Sequence, residues 1–259
     1  MLSELFVDVT GPEDGPLIVF SHALGGDLSM WDRQVVKFAS RYRILRYDLR
    51  GHGRSALAAS NLKLEDLGKD VLELLDHHGI DRAHFCGLSL GGLIGQWLGL
   101  HASNRLVSLV LADSAPRMGT PEQWDQRIEQ IEQGGMSAIS NATMERWFTE
   151  GFRKREPETV ARIRSILEAT SPASYVACAR VVREASVSGA NYEDLRKINV
   201  PTLVVTGMFD PGVKPEDCQK MVAQIPRSLY VELTAAHISP IEASEEFNDA
   251  LRTFLEEQG

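Results

Sequence analysis

Residues 83–95, AHFCGLSLGGLIG, limit what this chain can fold into more than any other stretch. A short apolar run from Ala83 to Cys86 breaks at Gly87, and Ser89 stands two residues further on. Leu90, Leu93, Ile94, Trp97 and Leu98 then recur with helical spacing. The segment Gly87-Leu88-Ser89-Leu90-Gly91 fits G-x-S-x-G, a strand that turns sharply into a helix with a nucleophile at the apex. Such a turn holds Ser89 at a strained backbone angle, and side chains two residues to either side would strike the crossing strand and helix. Glycine at 87 and 91 removes them. The hydroxyl then stands clear of the sheet, above the positive end of the helix that follows.

Around this turn, short apolar runs alternate with helical patterns. Strands are expected at residues 5–9, 17–20, 42–47, 106–112, 202–206 and 229–233, in addition to the run before Ser89. Helices are expected near 30–39 and 64–78 and at the C-terminal end, where Phe247, Leu251 and Phe254 share a face. Alternation of this kind implies an α/β fold, a mostly parallel sheet with helices on both faces. Ligands of such sheets bind beyond the carboxyl ends of the strands. Residues 118–197 differ, because they contain no convincing buried strand. Apolar faces recur there as Trp124, Ile128 and Ile131; Met144, Trp147 and Phe148; Val160, Ile163 and Leu167; and Tyr175, Cys178 and Val182. The expected organisation is a core of residues 1–117 and 198–259, with 118–197 inserted as a helical lid that excludes water and shapes substrate choice.

Composition narrows the partners. The 259 residues carry a formal charge of −9, which argues against nucleic acid or an anionic membrane as a partner. Three cysteines, Cys86, Cys178 and Cys218, lie far apart without metal-ligand spacing, a pattern that fits a reducing compartment. The N-terminal MLSELFVDV has neither a basic start nor a long apolar stretch, and no run reaches bilayer length. A cytoplasmic location is the default expectation.

A serine hydroxyl is a weak nucleophile unless a base removes its proton and a third group orients that base. Of seven histidines, His237 follows the last strand and precedes the final helix, at the sheet edge where Ser89 stands. His22 is its rival. His77, His78, His84 and His101 are assigned solvated or capping roles. Asp210, directly after the 202–206 strand, is the candidate acid, and the order Ser89, Asp210, His237 is that of a triad built on such a turn. Asp113, after the 106–112 strand, competes with it. Asp48 is expected to bind backbone donors in its glycine-rich turn. Oxyanion donors are expected from the backbone N–H of Leu90 and from the 22–26 loop, most plausibly at Leu24.

GLSLGG at Ser89, DLRGHGRS at 48–55, GMFDP at 207–211 and AAHISPIEASEEF at 235–247 resemble the α/β-hydrolase superfamily, over nearly the whole chain. SHALGGDLSMWDRQ, GLSLGGLIGQWLGLHA, RMGTPEQWDQRIEQIEQGGM and RWFTEGFRKREPE are further similar to the 3-oxoadipate enol-lactonase family of aromatic catabolism. That resemblance implies a Ser89–Asp210–His237 triad, an oxyanion hole at Leu24 and Leu90, and an acyl-enzyme formed without metal or organic cofactor. The substrate it implies is a small ester or lactone bearing a carboxylate. An acidic protein then needs local cations, so Arg127 is expected to bind the anion, with Arg117 and Arg146 as neighbours in sequence, while Trp124 and Trp147 line the pocket. Two departures stand out: His22-Ala23 replaces the Asn-Ser common in that family, and at most seven strands are legible against the superfamily's usual eight. A general carboxylesterase is the alternative enzyme, and a non-catalytic ligand receptor on the same fold is the alternative of another class.

Overall fold

The computed structural model describes residues 4–188 and 191–258. The expected domain limits also take in residues 1–3, 189–190 and 259, and the segment read for a leader begins at residue 1; these positions lie outside the described residues. Among the described residues seven strands form one sheet: β1 (Val7–Thr10), β2 (Leu17–Ser21), β3 (Arg43–Tyr47), β4 (Ala83–Leu88), β5 (Leu106–Ala112), β6 (Thr202–Gly207) and β7 (Ser228–Leu233). Their order is β1-β3-β2-β4-β5-β6-β7, with β1 antiparallel to β3 and every other pairing parallel. The runs that read as continuous apolar segments are the buried inner strands, covered on both faces as a parallel sheet requires.

Register places the functional edge. Ser21 pairs with Gly87 and Leu88 with Ala112, so the loop after β2 and the residue after β5 stand on either side of Ser89. Beyond them, Gly207 pairs with Leu233, which brings the loops after β6 and β7 alongside. The helix after β4, α3 (Leu90–His101), is apolar almost all round because it is sandwiched. The sheet lies on one side of it and α2 (Leu64–His77), with Leu67, Val71, Leu74 and Leu75 buried, lies on the other. A second core layer joins α1 (Asp32–Phe38) to the closing helices α10 (Ser239–Glu242) and α11 (Ser244–Glu256). There Trp31 sits 4.7 Å from Phe20 and 6.1 Å from Phe247, ring centre to ring centre.

Between β5 and β6 the described residues form five α-helices and no strand: α4 (Pro121–Gly134), α5 (Ser137–Trp147), α6 (Glu150–Arg155), α7 (Pro157–Ala169) and α8 (Pro172–Ser188). The four apolar faces read from the sequence are all buried. The start of α4 shows why the chain turns helical there. Pro121 occupies the first turn, the Gln123 N–H donates to Thr120 Oγ1 at 3.3 Å, and the Thr120 N–H donates back to Gln123 Oε1 at 2.9 Å.

Several expectations need correction. The first helix opens with a 3-10 turn over Leu28–Trp31, capped by Asp27, before α1 proper. Three short helices, α6, α9 (Pro215–Val222) and α10, are not legible in the sequence. His84 is not solvated: it is buried in β4, its Nδ1 2.8 Å from Ser108 Oγ, and burial pushes its pKa down to about 4. Among the described residues no helix is long and apolar enough to cross a membrane.

The crossing at the strand–helix turn is closed to any side chain. A Cβ on Gly87 would lie 2.0 Å from the Gly91 carbonyl oxygen, and one on Gly91 would lie 2.3 Å from that of Ser21. Both obstacles are backbone and cannot swing away. Gly91→Ala should therefore cost about 3 kcal/mol or more, and for a chain of this size roughly 6–12 °C in Tm. Gly151→Ala on exposed α6, where the new methyl meets only Thr149 Oγ1 at 4.0 Å, should be neutral or slightly stabilising. Thermal unfolding of the two variants checks the contrast; equal Tm values would show that the crossing tolerates a methyl.

Candidate active site

Ser89 sits at the turn between β4 and α3 with φ 55° and ψ −108°. It is one of two non-glycine residues at positive φ among those described, the other being Asp113. Its N–H donates to the Ala112 carbonyl at 2.9 Å, which extends the β4–β5 pairing by one bond and holds the strained residue in place. Ser89, Asp210 and His237 are 7%, 4% and 6% exposed, so they face a cavity and not the open surface.

The structure brings these three side chains into line. His237 Nε2 is 2.9 Å from Ser89 Oγ, and His237 Nδ1 is 2.6 Å from Asp210 Oδ2. Asp210 is itself aimed by its own turn, since its Oδ1 accepts the Gly212 N–H at 2.8 Å and the Val213 N–H at 3.1 Å. With the Nδ1 proton donated to the carboxylate, Nε2 presents a lone pair to the serine hydroxyl. That geometry can take a proton from Ser89 and hand it to a leaving group.

The rivals are placed elsewhere. His22 is fully buried, its Nδ1 2.8 Å from the Ala23 carbonyl while Nε2 accepts the Leu49 N–H at 2.9 Å, so neither nitrogen is free to act as a base. Asp113 gives its carboxylate to the backbone N–H of Gly207 at 2.8 Å and to the N–H and hydroxyl of Ser239 at 3.0 and 2.7 Å. Asp48 accepts the N–H groups of Leu28 and Arg54 at 2.8 and 2.9 Å.

Leu90 is the first residue of α3, so its N–H is one of the amides a helix leaves without an internal partner. Leu24 lines the same cavity as Ser89. The 22–26 loop is braced from behind by a residue the sequence had not singled out for this task. His52 Nε2 accepts the Gly25 N–H at 3.0 Å, and its Nδ1 lies 3.1 Å from the Arg50 carbonyl. Its ring stands edge-on to that of His22, 5.4 Å away.

The cavity has a volume of about 320 Å³, enough for a small molecule. Leu24, Ser89, Trp124, Arg127, Trp147 and His237 all line it, so six of the eight expected site residues converge on one space, with Asp210 behind His237. No acidic side chain is among its described lining. Arg127 is already engaged: its Nε donates to Tyr175 Oη at 2.8 Å and its Nη2 to Thr143 Oγ1 at 2.6 Å. Arg146, given a secondary place by the sequence, is the freer cation. Its Nε is enclosed without a hydrogen-bond partner, and burial together with the nearby Arg127 pulls its pKa down to about 10, which leaves it charged at neutral pH. Arg117 lies outside the lining and donates to Asn191 Oδ1 at 3.2 Å.

The base loop is tied to the helical insertion. The Ile238 N–H donates to the Trp147 carbonyl at 3.2 Å. Glu242 accepts the Ala236 N–H at 2.9 Å and the Thr149 N–H at 3.2 Å. Glu242 lies five residues past the histidine, and no periodicity marks it out.

Comparison with known proteins places the fold in a family. Residues 16–244 match the family model described as the alpha/beta hydrolase fold. 3-Oxoadipate enol-lactonase 2 of Acinetobacter baylyi is 36% identical over 245 residues, which covers 95% of this chain and 90% of that protein. The enol-lactonase of Burkholderia xenovorans LB400 superposes with a TM-score of 0.93 at 37% identity, covering 97% of this chain and 96% of the other. A thermophilic esterase from Thermogutta terrifontis, solved with malate bound, has a TM-score of 0.89 at 28% identity over 98% of this chain and 93% of its own.

The two loop-bracing histidines make acid sensitivity a consequence of the site's construction. Burial pushes His22 down to about 4 and His52 to about 3, the neighbouring His22 adding to the shift of His52. An unfolded chain protonates both near 6.5. Below that value the unfolded state therefore binds more protons than the folded one, and stability falls as pH drops from about 6.5 towards 4. His52→Gln keeps an acceptor for the Gly25 N–H but does not titrate, so its urea midpoint should decline less steeply between pH 7 and 4.5 than that of the wild type. Parallel declines would rule out His52 as a source of the acid sensitivity.

Proposed function

The chain belongs to the α/β-hydrolase fold family, and on that premise we propose that it is a serine hydrolase that opens a small, carboxylate-bearing enol-lactone by way of an acyl-enzyme. It is a carboxylic-ester hydrolase. The observation that carries the finer reading is the pairing, in one cavity of about 320 Å³, of the Ser89–His237–Asp210 alignment with two guanidinium groups and no lining carboxylate among the described residues. A cationic pocket inside a protein of net charge −9 is suited to an anion of small size.

In this mechanism His237 Nε2 removes the Ser89 proton as Oγ attacks the lactone carbonyl. Negative charge develops on the carbonyl oxygen, where the N–H groups of Leu90 and Leu24 receive it. The ring C–O bond breaks, and the imidazolium returns its proton to the departing enol oxygen. The enol then becomes a ketone, which draws the ring opening forward. A water deprotonated by His237 attacks the acyl carbonyl, Ser89 leaves with the proton, and 3-oxoadipate is released. Asp210 holds the imidazole tautomer and stabilises its charged form throughout. No metal or organic cofactor enters these steps. Residues 118–197 serve as the lid of a core made of 1–117 and 198–259, with Trp124 and Trp147 as apolar walls. The three free cysteines, all buried, suit the reducing cytoplasm.

The malate-bound esterase among the structural relatives favours one second reading: a broader esterase for small esters on the same machinery. The two readings differ in what the arginines do. Arg146→Ala should raise KM for a carboxylate-bearing ester or lactone about 10–100-fold, the loss of one charge-assisted contact, while KM for a neutral ester of equal size stays within about two-fold. Equal effects on both would remove Arg146 from the binding site and favour the broader esterase. Ser89→Ala should lower turnover on the order of 10⁴-fold or more while the melting curve is kept. Turnover near that of the wild type would retire the serine mechanism.

A further inference from the structure

The acid turn and the base loop meet at a backbone crossing that a second buried carboxylate spans. The acid turn after β6 and the base loop after β7 meet where a Cβ on Gly207 would lie 2.1 Å from the Ala236 carbonyl oxygen. The Phe209 N–H donates to the Ala235 carbonyl at 3.0 Å, and the Met208 N–H to the Leu233 carbonyl at 2.9 Å. These contacts set the height of Asp210, whereas past His237 the Ile238 N–H is held by the Trp147 carbonyl, on the helical insertion and not on β6. Asp113 spans the gap. One of its oxygens holds the N–H of Gly207, the last residue of β6, three positions before Asp210. The other holds the N–H and the hydroxyl of Ser239, two positions after His237.

We propose that Asp113 is a positioning residue for the proposed triad: its single carboxylate spans the strand end that carries Asp210 and the loop that carries His237, and so sets the distance between acid and base. The role rests on the Ser89–Asp210–His237 reading.

The way Asp113 is held argues that the arrangement is specific. Its side chain is wholly buried, its backbone adopts φ +45°, and its own N–H donates to the Val205 carbonyl at 2.9 Å. A buried aspartate in the left-handed region needs its surroundings to over-determine it. Burial and the neighbouring Asp210 both push its carboxyl well above the usual carboxylate range. Three donors aimed at it, from Gly207 and Ser239, pull the other way. An apolar residue would fill the space without either cost, so the donors it organises are the return on keeping an acid there. Asp113 does not act as the triad acid itself, because the structure gives His237 Nδ1 to Asp210.

The bond geometry indicates which variants separate positioning from mere stability. Asp113→Asn keeps the size but turns an NH₂ towards one of the donors. Ser239→Ala removes one bond and leaves the Ser239 N–H in place. A stoichiometric burst with an activated neutral ester reads amplitude, the fraction of chains with a competent site, separately from rate, the step in which His237 takes the proton. The expected result for Asp113→Asn is a burst rate and kcat lower by about 10–100-fold, with KM within about two-fold and amplitude near one per chain. Ser239→Ala should show the same pattern at about 3–10-fold. A lowered amplitude with an unchanged rate would reduce Asp113 to a structural role and overturn the proposal, as would rates within about two-fold of wild type in both variants. If Asp113→Asn does not fold, Ser239→Ala decides by the same two readouts. Ser89→Ala, run beside them, tests the underlying reading on its own: a burst in that variant refutes the triad, whereas its absence together with wild-type rates in the other two refutes only Asp113.

Discussion

Ser89 is held at a backbone angle that non-glycine residues rarely adopt, and the path of the chain on both sides of it follows from that restraint. Strain of this kind costs about 1–3 kcal/mol and persists only where the surroundings leave no alternative. Here β4 and α3 come so close that neither Gly87 nor Gly91 could carry a methyl, and the Ser89 N–H is bonded to Ala112 on the neighbouring strand. Relaxing the serine would mean separating a wholly buried strand from the helix packed on it. The hydroxyl is therefore presented by the core itself, and its position is as stable as the fold.

His237, Asp210 and Leu24 come from loops, and each loop is held by buried or half-buried polar side chains that bond to backbone. His22 and His52 brace the 22–26 loop, Asp210 closes its own turn, and Asp113 and Glu242 fix the stretch on either side of His237. Loops so held lose little order when a ligand binds, which suits a site whose chemistry depends on prepaid orientation. Glu242 and the Ile238–Trp147 bond also tie the base loop to the helices that wall the cavity. A shift of Trp147 would be felt at the histidine through one peptide unit.

Much of this is legible in the sequence. Continuous apolar runs located the strands, because a sheet covered on both faces needs them, and the G-x-S-x-G spacing located the turn. Chain order places Asp210 and His237 after their strands, and the structure brings His237 to Ser89 and Asp210 to His237. What escaped reading depended on partners distant in sequence. Helical phase puts Trp124 and Arg127 on one face, but it cannot say that Tyr175 and Thr143, from two other helices, already occupy Arg127 and leave Arg146 freer. His84 looked solvated because a histidine entering a strand carries no sign of Ser108 across the ladder. Asp113 and Asp210 each follow a strand. Only register decides which of them reaches the imidazole and which holds backbone.

Charge is distributed against the average. The chain is strongly acidic, yet the cavity beside Ser89 holds two guanidinium groups and no lining carboxylate among the described residues. The negative charge of the chain limits non-specific partners, and in the proposed function the local cations select which small molecule rests against the serine. The central claim, that Ser89 Oγ becomes acylated, is tested most directly by quenching the enzyme in acid during turnover of a carboxylate-bearing activated ester and measuring intact and peptide masses. The account predicts an added acyl mass confined to the peptide that contains Ser89 and lost as substrate runs out. An unmodified chain under steady turnover in which deacylation limits the rate, or an adduct on any other residue, would contradict it.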